Sequence, residues 1–311
     1  MKPITLKQRL EYVALRVLAP LVRVLPRSLA LRCGRTTGWL AGRVLHERRR
    51  LAQQNVALAL PELTPEQVSD LVSRNFVQLG MSAVEALRLD LLDPENLTQY
   101  FELEGLERLE EALALQRGVI LLTAHLGFWE AGHFVFPALG IPLDTITKPL
   151  KNRLVDGYFQ QIRSHFGART LNSRKGARRI LKALQQGRAV GLLLDQHISP
   201  PGAVAVDFFG RKAFTTTAIT SMAMKHQIPV VPTFCLRLPD NRYHVWVEPM
   251  LLLGNDDPDA LTVNTQLLTD VIEAAVRRDA SQWFWMHRRW RGARKKKKSH
   301  NQTVVKRKTE K

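Results

Sequence analysis

His125 and Glu130 are the residues whose types and spacing most directly suggest chemistry. They lie in the stretch VILLTAHLGFWEAGHF, residues 119–134. The apolar run leading to His125 reads as a buried strand, the chain turns at AHLG, and a helix is expected from near Phe128. A histidine then stands where a strand ends, with a carboxylate about one helical turn further on. Catalytic groups of open α/β sheets gather at the carboxyl ends of strands. A carboxylate on one imidazole nitrogen fixes the tautomer, favours the imidazolium and leaves the other nitrogen free to accept a proton. Such a pair could act as a general base on a substrate hydroxyl, which would attack an ester or thioester without a protein nucleophile. The competing reading is a histidine satisfied by a backbone carbonyl, because H-x4-E alone is a weak pattern. Rival motifs are missing from the sequence: no G-x-S-x-G, no H-E-x-x-H, no G-x-x-x-x-G-K-[ST] and no cysteine pair at zinc spacing. The mechanism asks for no metal and no cofactor.

The elements that must hold this pair follow from hydrophobic patterning. GVILLT (118–123), AVGLLLD (189–195) and IPVVPTF (228–234) read as buried strands, and YHVWVEP (243–249) as a strand with alternation. Helical segments separate the first three. TPEQ opens a long helix over 64–90, with Thr64 as N-cap, Pro65 at the first position and Gln67 closing a capping box. Residues 263–280 read as another helix. The class is α/β, with a central, mostly parallel sheet flanked by helices. Cys33 and Cys235 are expected in or near the core, as ordinary thiols of a reducing compartment.

The net charge of +18 is carried by the two ends. Residues 1–50 hold twelve Lys/Arg and two acids, and residues 288–311 twelve Lys/Arg and one acid, which leaves the middle slightly acidic. Most of the acids between 51 and 147 are expected on a solvated face. Leu6, Leu10, Val13, Val17, Leu21 and Val24 recur at helical spacing, flanked by Arg9, Arg16 and Arg23. That pattern suits a helix lying in a membrane interface or one packed on its own domain. Pro20 and Pro26 are expected to kink or end it. No transmembrane span or signal peptide is expected. Gly34, Gly38 and Gly42, four apart, make a smooth groove for a neighbouring helix. The chain divides into a basic amphipathic docking segment (1–50), an α/β domain (51–290) and a Lys-rich tail (291–311) expected to be disordered.

Between Lys148 and Arg188 there are eleven bases and one acid, Asp156. Asp156 and Arg163 lie two turns apart on one helix, either as a solvent-facing pair or as a site wall with Arg163 donating to a carbonyl or phosphate. Arg174, Lys175, Arg178, Arg179 and Lys182 crowd the next helix, expected over 174–186 after an NS cap. This cluster would attract an acidic carrier protein or a phosphorylated lipid, or it is simply a solvated helix. Asp195 ends a strand beside the first one and could orient the site or hold the basic cluster. FFG (208–210) could line an acyl slot or belong to the core. His133 is assigned to core or surface, not to a base.

TAHLGFWE resembles the H-x4-[DE] block of glycerolipid-type acyltransferases. With KPLKNRLVDGYFQQIRSHFG, GRAVGLLLDQH, VDFFGRKAFTTTA and WFWMHRRW following in order, the chain over about 8–292 resembles the bacterial lipid A biosynthesis (lauroyl/myristoyl) acyltransferase family. The resemblance implies a glycerolipid acyltransferase-like fold. It also implies transfer of a fatty acyl group from acyl carrier protein to a hydroxyl of a membrane glycolipid, at the cytoplasmic face of the inner membrane. His125 is implied as base, Glu130 as its orienting partner, and Arg163 and Asp195 as further functional residues. Many members have an N-terminal membrane span; the arginine-studded N-terminus here implies peripheral or monotopic attachment to an anionic phospholipid membrane instead. The alternatives are another glycolipid or a lysophospholipid as acceptor, a lipid or thioester hydrolase in which the pair activates water, and a basic nucleic-acid-binding protein. The last lacks any recognisable nucleic-acid motif, and no nucleic-acid partner is expected.

Overall fold

The computed structural model describes residues 4–172, 176–254 and 256–292. Arg174, Lys175, Ser173 of the NS cap and nearly all of the Lys-rich tail lie outside them. Four helices come first: α1 (Leu6–Val24), α2 (Arg27–Val44), α3 (His46–Ala59) and α4 (Pro65–Ala86). The short α5 (Leu97–Tyr100), β1 (Phe101–Glu104), α6 (Leu106–Ala114) and β2 (Val119–Thr123) follow. Then come α7 (Gly132–Ala138), β3 (Leu143–Thr147), α8 (Arg153–Arg163), β4 (Arg169–Asn172), α9 (Gly176–Gln185) and β5 (Ala189–Leu193). A hairpin, β6 (Ala203–Phe208) and β7 (Arg211–Thr216), leads to α10 (Ala218–His226), β8 (Val230–Arg237), β9 (Tyr243–Val247) and α11 (Ala260–Arg278).

The seven-stranded sheet runs β1-β9-β8-β2-β5-β3-β4. Every neighbouring pair is parallel except β8 with β9. The α/β class read from the sequence is therefore the observed one. β2 and β5 are the apolar runs expected to be buried, and they lie next to each other at the centre. β1, β3, β4 and the hairpin escaped the patterning because they are short or mix polar with apolar residues. Phe208 and Phe209 are buried core side chains.

The N-terminal helices are tied to this sheet by close packing. Gly34, Gly38 and Gly42 of α2 face Phe76, Gly80 and Met81 of α4, so that backbone meets backbone. A Cβ on Gly38 would overlap the carbonyl oxygen of Phe76. Glu85 of α4 is buried and bridges Arg27 and Arg237 at 2.7 Å each, while Arg188 holds the buried Asp144 at 2.6 Å. These acids are internal counter-charges and not part of a solvated face. Thr64 and Gln67 form the expected capping box at the start of α4.

Two local expectations are corrected. α1 runs through Pro20 to Val24; Pro20 is exposed, so the one lost helical bond is on the solvent side, and the break comes at Pro26. Cys33 is exposed and Cys235 buried, because Cys33 points away from the glycine face of α2.

Gly38→Ala should destabilise the protein by about 1–3 kcal/mol, the range for overpacking, seen as a lower thermal midpoint. Gly157→Ala is the control: it lies in α8 with nothing within 4 Å of the added Cβ and should be neutral or slightly stabilising. Equal midpoints for both variants would show that α2 and α4 do not depend on this close approach.

Candidate active site

The parallel register sets Thr123 of β2 opposite Leu193 of β5. Two residues beyond each strand end, His125 and Asp195 therefore leave the sheet side by side. His125 Nδ1 lies 2.8 Å from Asp195 Oδ1, and the His125 backbone N–H donates to Oδ2 at 2.9 Å. The Trp283 indole N–H donates to the same Oδ2 at 2.8 Å. Asp195 is buried, while the His125 side chain keeps 22% of its surface exposed. A carboxylate with three donors around it stays ionised, and it fixes the imidazole with its proton on Nδ1.

Burial alone would lower the His125 pKa. The charge and hydrogen bond of Asp195 outweigh burial, with a further contribution from the charge of Glu130, and hold the imidazole above its ordinary range. For Asp195, burial would raise the pKa; the His125 charge and hydrogen bonds and the Trp283 donor hold it below the usual carboxylate range.

Glu130 does not meet His125 through a hydrogen bond. The chain after His125 crosses the end of β8, where Phe128 N–H donates to the Cys235 carbonyl at 3.3 Å. Gly127 sits there at φ 58°, and a Cβ would overlap the Cys235 carbonyl oxygen; only glycine fits this crossing. A 3-10 turn, Trp129–Ala131, then replaces the expected start of the helix. It directs Glu130 toward α8, where Arg163 donates to both carboxylate oxygens at 2.7 and 2.6 Å. Burial would raise the Glu130 pKa, but the Arg163 hydrogen bonds and the surrounding charges hold it low. The carboxylate bonded to His125 is thus Asp195, whereas Glu130 pairs with Arg163 and reaches His125 only through its charge. His133 is buried against the Glu130 carbonyl (3.1 Å) and Thr145 Oγ1 (2.9 Å) and is held below its ordinary pKa, chiefly by burial.

Asp156 makes no hydrogen bond to His125, Glu130 or Arg163, although its charge acts on Arg163. It accepts from the Leu150 backbone N–H at 2.9 Å and from Gln160 Nε2 at 2.7 Å, closing the turn before α8. Residues that the patterning missed complete the setting. Trp129 meets the His125 ring edge-on at 5.3 Å between centroids, and Phe284 lies at 6.1 Å. Gln196 Nε2 is 3.2 and 3.5 Å from the two ring nitrogens. Such nearly equal distances place the amide over the ring face, off the line of the Nε2 lone pair.

The segment behind the site is held by two buried asparagines. Asn75 of α4 donates to the carbonyls of Ser281 (2.8 Å) and Trp283 (2.6 Å), and Asn55 of α3 to those of Trp285 and His287 (2.7 Å each). Gly127 N–H and Phe284 N–H tie the same segment to the His125 loop at 2.9 and 3.0 Å. Among the described residues no cluster of three or more His, Cys, Asp or Glu could hold a metal ion.

This geometry can be set beside known proteins. The family model for bacterial lipid A biosynthesis acyltransferases matches residues 5–292. The chain belongs to this family. It is 26% identical over 280 residues to the lipid A biosynthesis lauroyltransferase of Escherichia coli (strain K12), covering 87% of this chain and 88% of that relative. It is 26% identical over 271 residues to the palmitoleoyltransferase of lipid A biosynthesis from the same organism, covering 86% of each. It is 25% identical over 246 residues to the phosphatidylinositol mannoside acyltransferase of Mycobacterium tuberculosis (strain CDC 1551 / Oshkosh), covering 76% of each. Family membership makes the chain a lipid A-type acyltransferase.

If Asp195 supports the base, Asp195→Asn should cut the maximal rate about 100-fold or more. The base works only when unprotonated, so activity falls as pH drops through the raised His125 pKa. Removing the charge that raises it should move this acid limb to lower pH. A pH–rate profile checks both, with Glu130→Gln expected to move the limb less. A limb displaced only by Glu130→Gln would return the orienting role to Glu130.

Proposed function

We propose that this enzyme moves a fatty acyl group from an acyl carrier protein thioester to a hydroxyl of a lipid A precursor, with His125 as general base. The observation that carries the reading is the His125–Asp195 contact: Nδ1 is held by a buried carboxylate, which leaves Nε2 for the substrate. The acceptor O–H gives its proton to Nε2 as its oxygen attacks the thioester carbonyl. The tetrahedral centre collapses, the C–S bond breaks, and the leaving sulfur takes the proton from the imidazolium. An ester and a free thiol result, and His125 is restored. Arg163, with its charge matched by Glu130, stiffens the wall beside the base and remains a candidate contact for a substrate carbonyl or phosphate.

An acidic carrier protein has a cationic surface available. Arg178, Arg179 and Lys182 are exposed on α9 while Ile180, Ala183 and Leu184 face inward. α9 follows β4, which runs parallel with its neighbour β3, so it starts from the same edge of the sheet as the His125 loop. Arg174 and Lys175 belong to the same stretch of sequence and are part of the proposed surface.

Membrane docking is assigned to α1. Leu6, Leu10, Val13, Val17, Leu21 and Val24 are each more than half exposed, whereas Ala19 on the opposite side is buried. An unburied apolar stripe flanked by Arg9 and Arg16 suits the interface of an anionic phospholipid bilayer. No described helix is long and apolar enough to cross a membrane, which favours peripheral attachment at the cytoplasmic face of the inner membrane. The mycobacterial relative supports a second reading of the acceptor, another membrane glycolipid, with the same base.

Labelled acyl carrier protein thioesters offered with an underacylated lipid A precursor test the chemistry. Wild type should transfer and His125→Ala should lose at least about 100-fold in rate; free fatty acid as the sole wild-type product would identify a hydrolase. In a vesicle sedimentation assay, Leu10→Asp with Val17→Asp should weaken binding to anionic vesicles while the thermal midpoint stays within a few degrees. Undiminished sedimentation of that variant would remove α1 as the docking face.

A further inference from the structure

Next to His125, the loop after β5 and the C-terminal segment bring together two imidazoles and a guanidinium for which the transfer step has no use. His197 stands two residues beyond Asp195. Its Nε2 lies 3.1 Å from Ser199 Oγ and its ring meets Phe214 edge-on at 6.2 Å. His287 follows Trp285, with its carbonyl held by Asn55. Arg289 is fully buried; it donates to the Phe214 carbonyl at 2.8 Å and to Thr215 Oγ1 at 2.5 Å and lies over the Phe208 ring.

Each of these side chains has a buried nitrogen with no partner among the described residues: His197 Nδ1, His287 Nδ1 and Arg289 Nε. Buried polar atoms are rarely left unsatisfied, and a group of them points to something that binds there.

Electrostatics specify what kind of group would fit. Burial lowers the His197 pKa, and the charges of Arg289 and Arg291 lower it further. Burial pushes His287 down to about 4, against the pull of Asp195 and with the charges of His125, Arg289 and His197 adding to the drop. Burial also lowers Arg289 to about 10, with Asp195 opposing. The two imidazoles are therefore neutral, each with a donor to offer, and a buried guanidinium lies close enough for its charge to act on both. The acid that acts on this cluster, Asp195, is already engaged by His125 and Trp283. Neutral donors near an uncompensated cation match a multivalent anion with several acceptor oxygens.

We propose that His197, His287 and Arg289 form a phosphate-recognition subsite beside His125, holding a phosphate ester of one of the two substrates. The proposal rests on the acyl-transfer reading. The phosphate belongs either to the glycolipid acceptor or to the phosphodiester of the carrier's pantetheine arm. In both cases it would anchor the substrate on the side of the base formed by the C-terminal segment.

Two measurements on the full chain test it. In the first, inorganic phosphate is titrated into the wild type and the imidazole nitrogens are followed by NMR. His197 and His287 should shift together and saturably, and His287→Gln should weaken phosphate about tenfold. This needs no turnover, so it stands even if His125→Ala proves active and the base is reassigned. In the second, phosphate inhibition is measured at varied acceptor and varied donor. Competition with the acceptor assigns the glycolipid phosphate, and competition with the donor assigns the pantetheine phosphodiester. His287→Gln should raise the KM of that substrate about tenfold and change kcat little; a merely structural role would lower stability and leave the KM of the folded enzyme unchanged. His197→Asn is the second variant should His287→Gln fold poorly. Absence of any phosphate-dependent shift overturns the proposal. Shifts with both KM values unchanged would mean an adventitious ion only, and would overturn it as well.

Discussion

The Asp195 carboxylate is buried at the carboxyl end of a central strand, and the surrounding structure is arranged to keep it charged there. A lone buried carboxylate would be protonated or would draw in water. Here the His125 backbone N–H, the His125 imidazole and the Trp283 indole all donate to it. Each donor comes from a different constraint. The first two require β2 and β5 to be parallel neighbours in register. The third requires the C-terminal segment to pass behind the sheet, which it does because Asn55 and Asn75 hold its carbonyls from the N-terminal helices. His125 is therefore positioned by the sheet, by α3 and α4, and by the C-terminal segment acting together.

The second buried pair, Glu130 with Arg163, works at longer range. It joins the turn after the His125 loop to α8 and fixes one wall of the site. The charge of Glu130 adds to that of Asp195 in raising the basicity of His125. Removing one partner of such a pair leaves the other buried and uncompensated, at a cost of about 3–5 kcal/mol. Rate losses in Arg163 variants thus need a stability measurement beside them before they are read as lost substrate contacts.

The surface around this interior carries two contrasting faces. Apolar side chains that a soluble domain would bury stay outside on α1, while the basic side chains of α9 lie at the edge of the sheet from which the His125 loop emerges. A lipid acceptor arriving from a bilayer and a thioester donor arriving from solution would need two such faces converging on one base. The two neutral imidazoles of His197 and His287, with the buried Arg289 guanidinium, add a third element, proposed to hold a phosphate beside His125.

Much of this was legible in the sequence. The apolar runs at 119–123 and 189–193 are strongly local signals, since fully buried parallel strands tolerate little but apolar residues. The capping box at Thr64, the glycine spacing of α2 and the amphipathic stripe of α1 are likewise set by neighbours a few positions away. His125 as the candidate base followed from its place at a strand end, and the order of the blocks pointed to the family. Which carboxylate bonds to His125 was not decided by spacing: Glu130 lies five residues away, and Asp195, which ends the neighbouring strand, seventy. Only the register of two parallel strands brings Asp195 to Nδ1, and only a 3-10 turn forced by the Gly127 crossing sends Glu130 to Arg163. Trp283, Asn55, Asn75 and His287 carry no local signature either. They act through contacts between distant segments, and such contacts exist only once the sheet has closed around them.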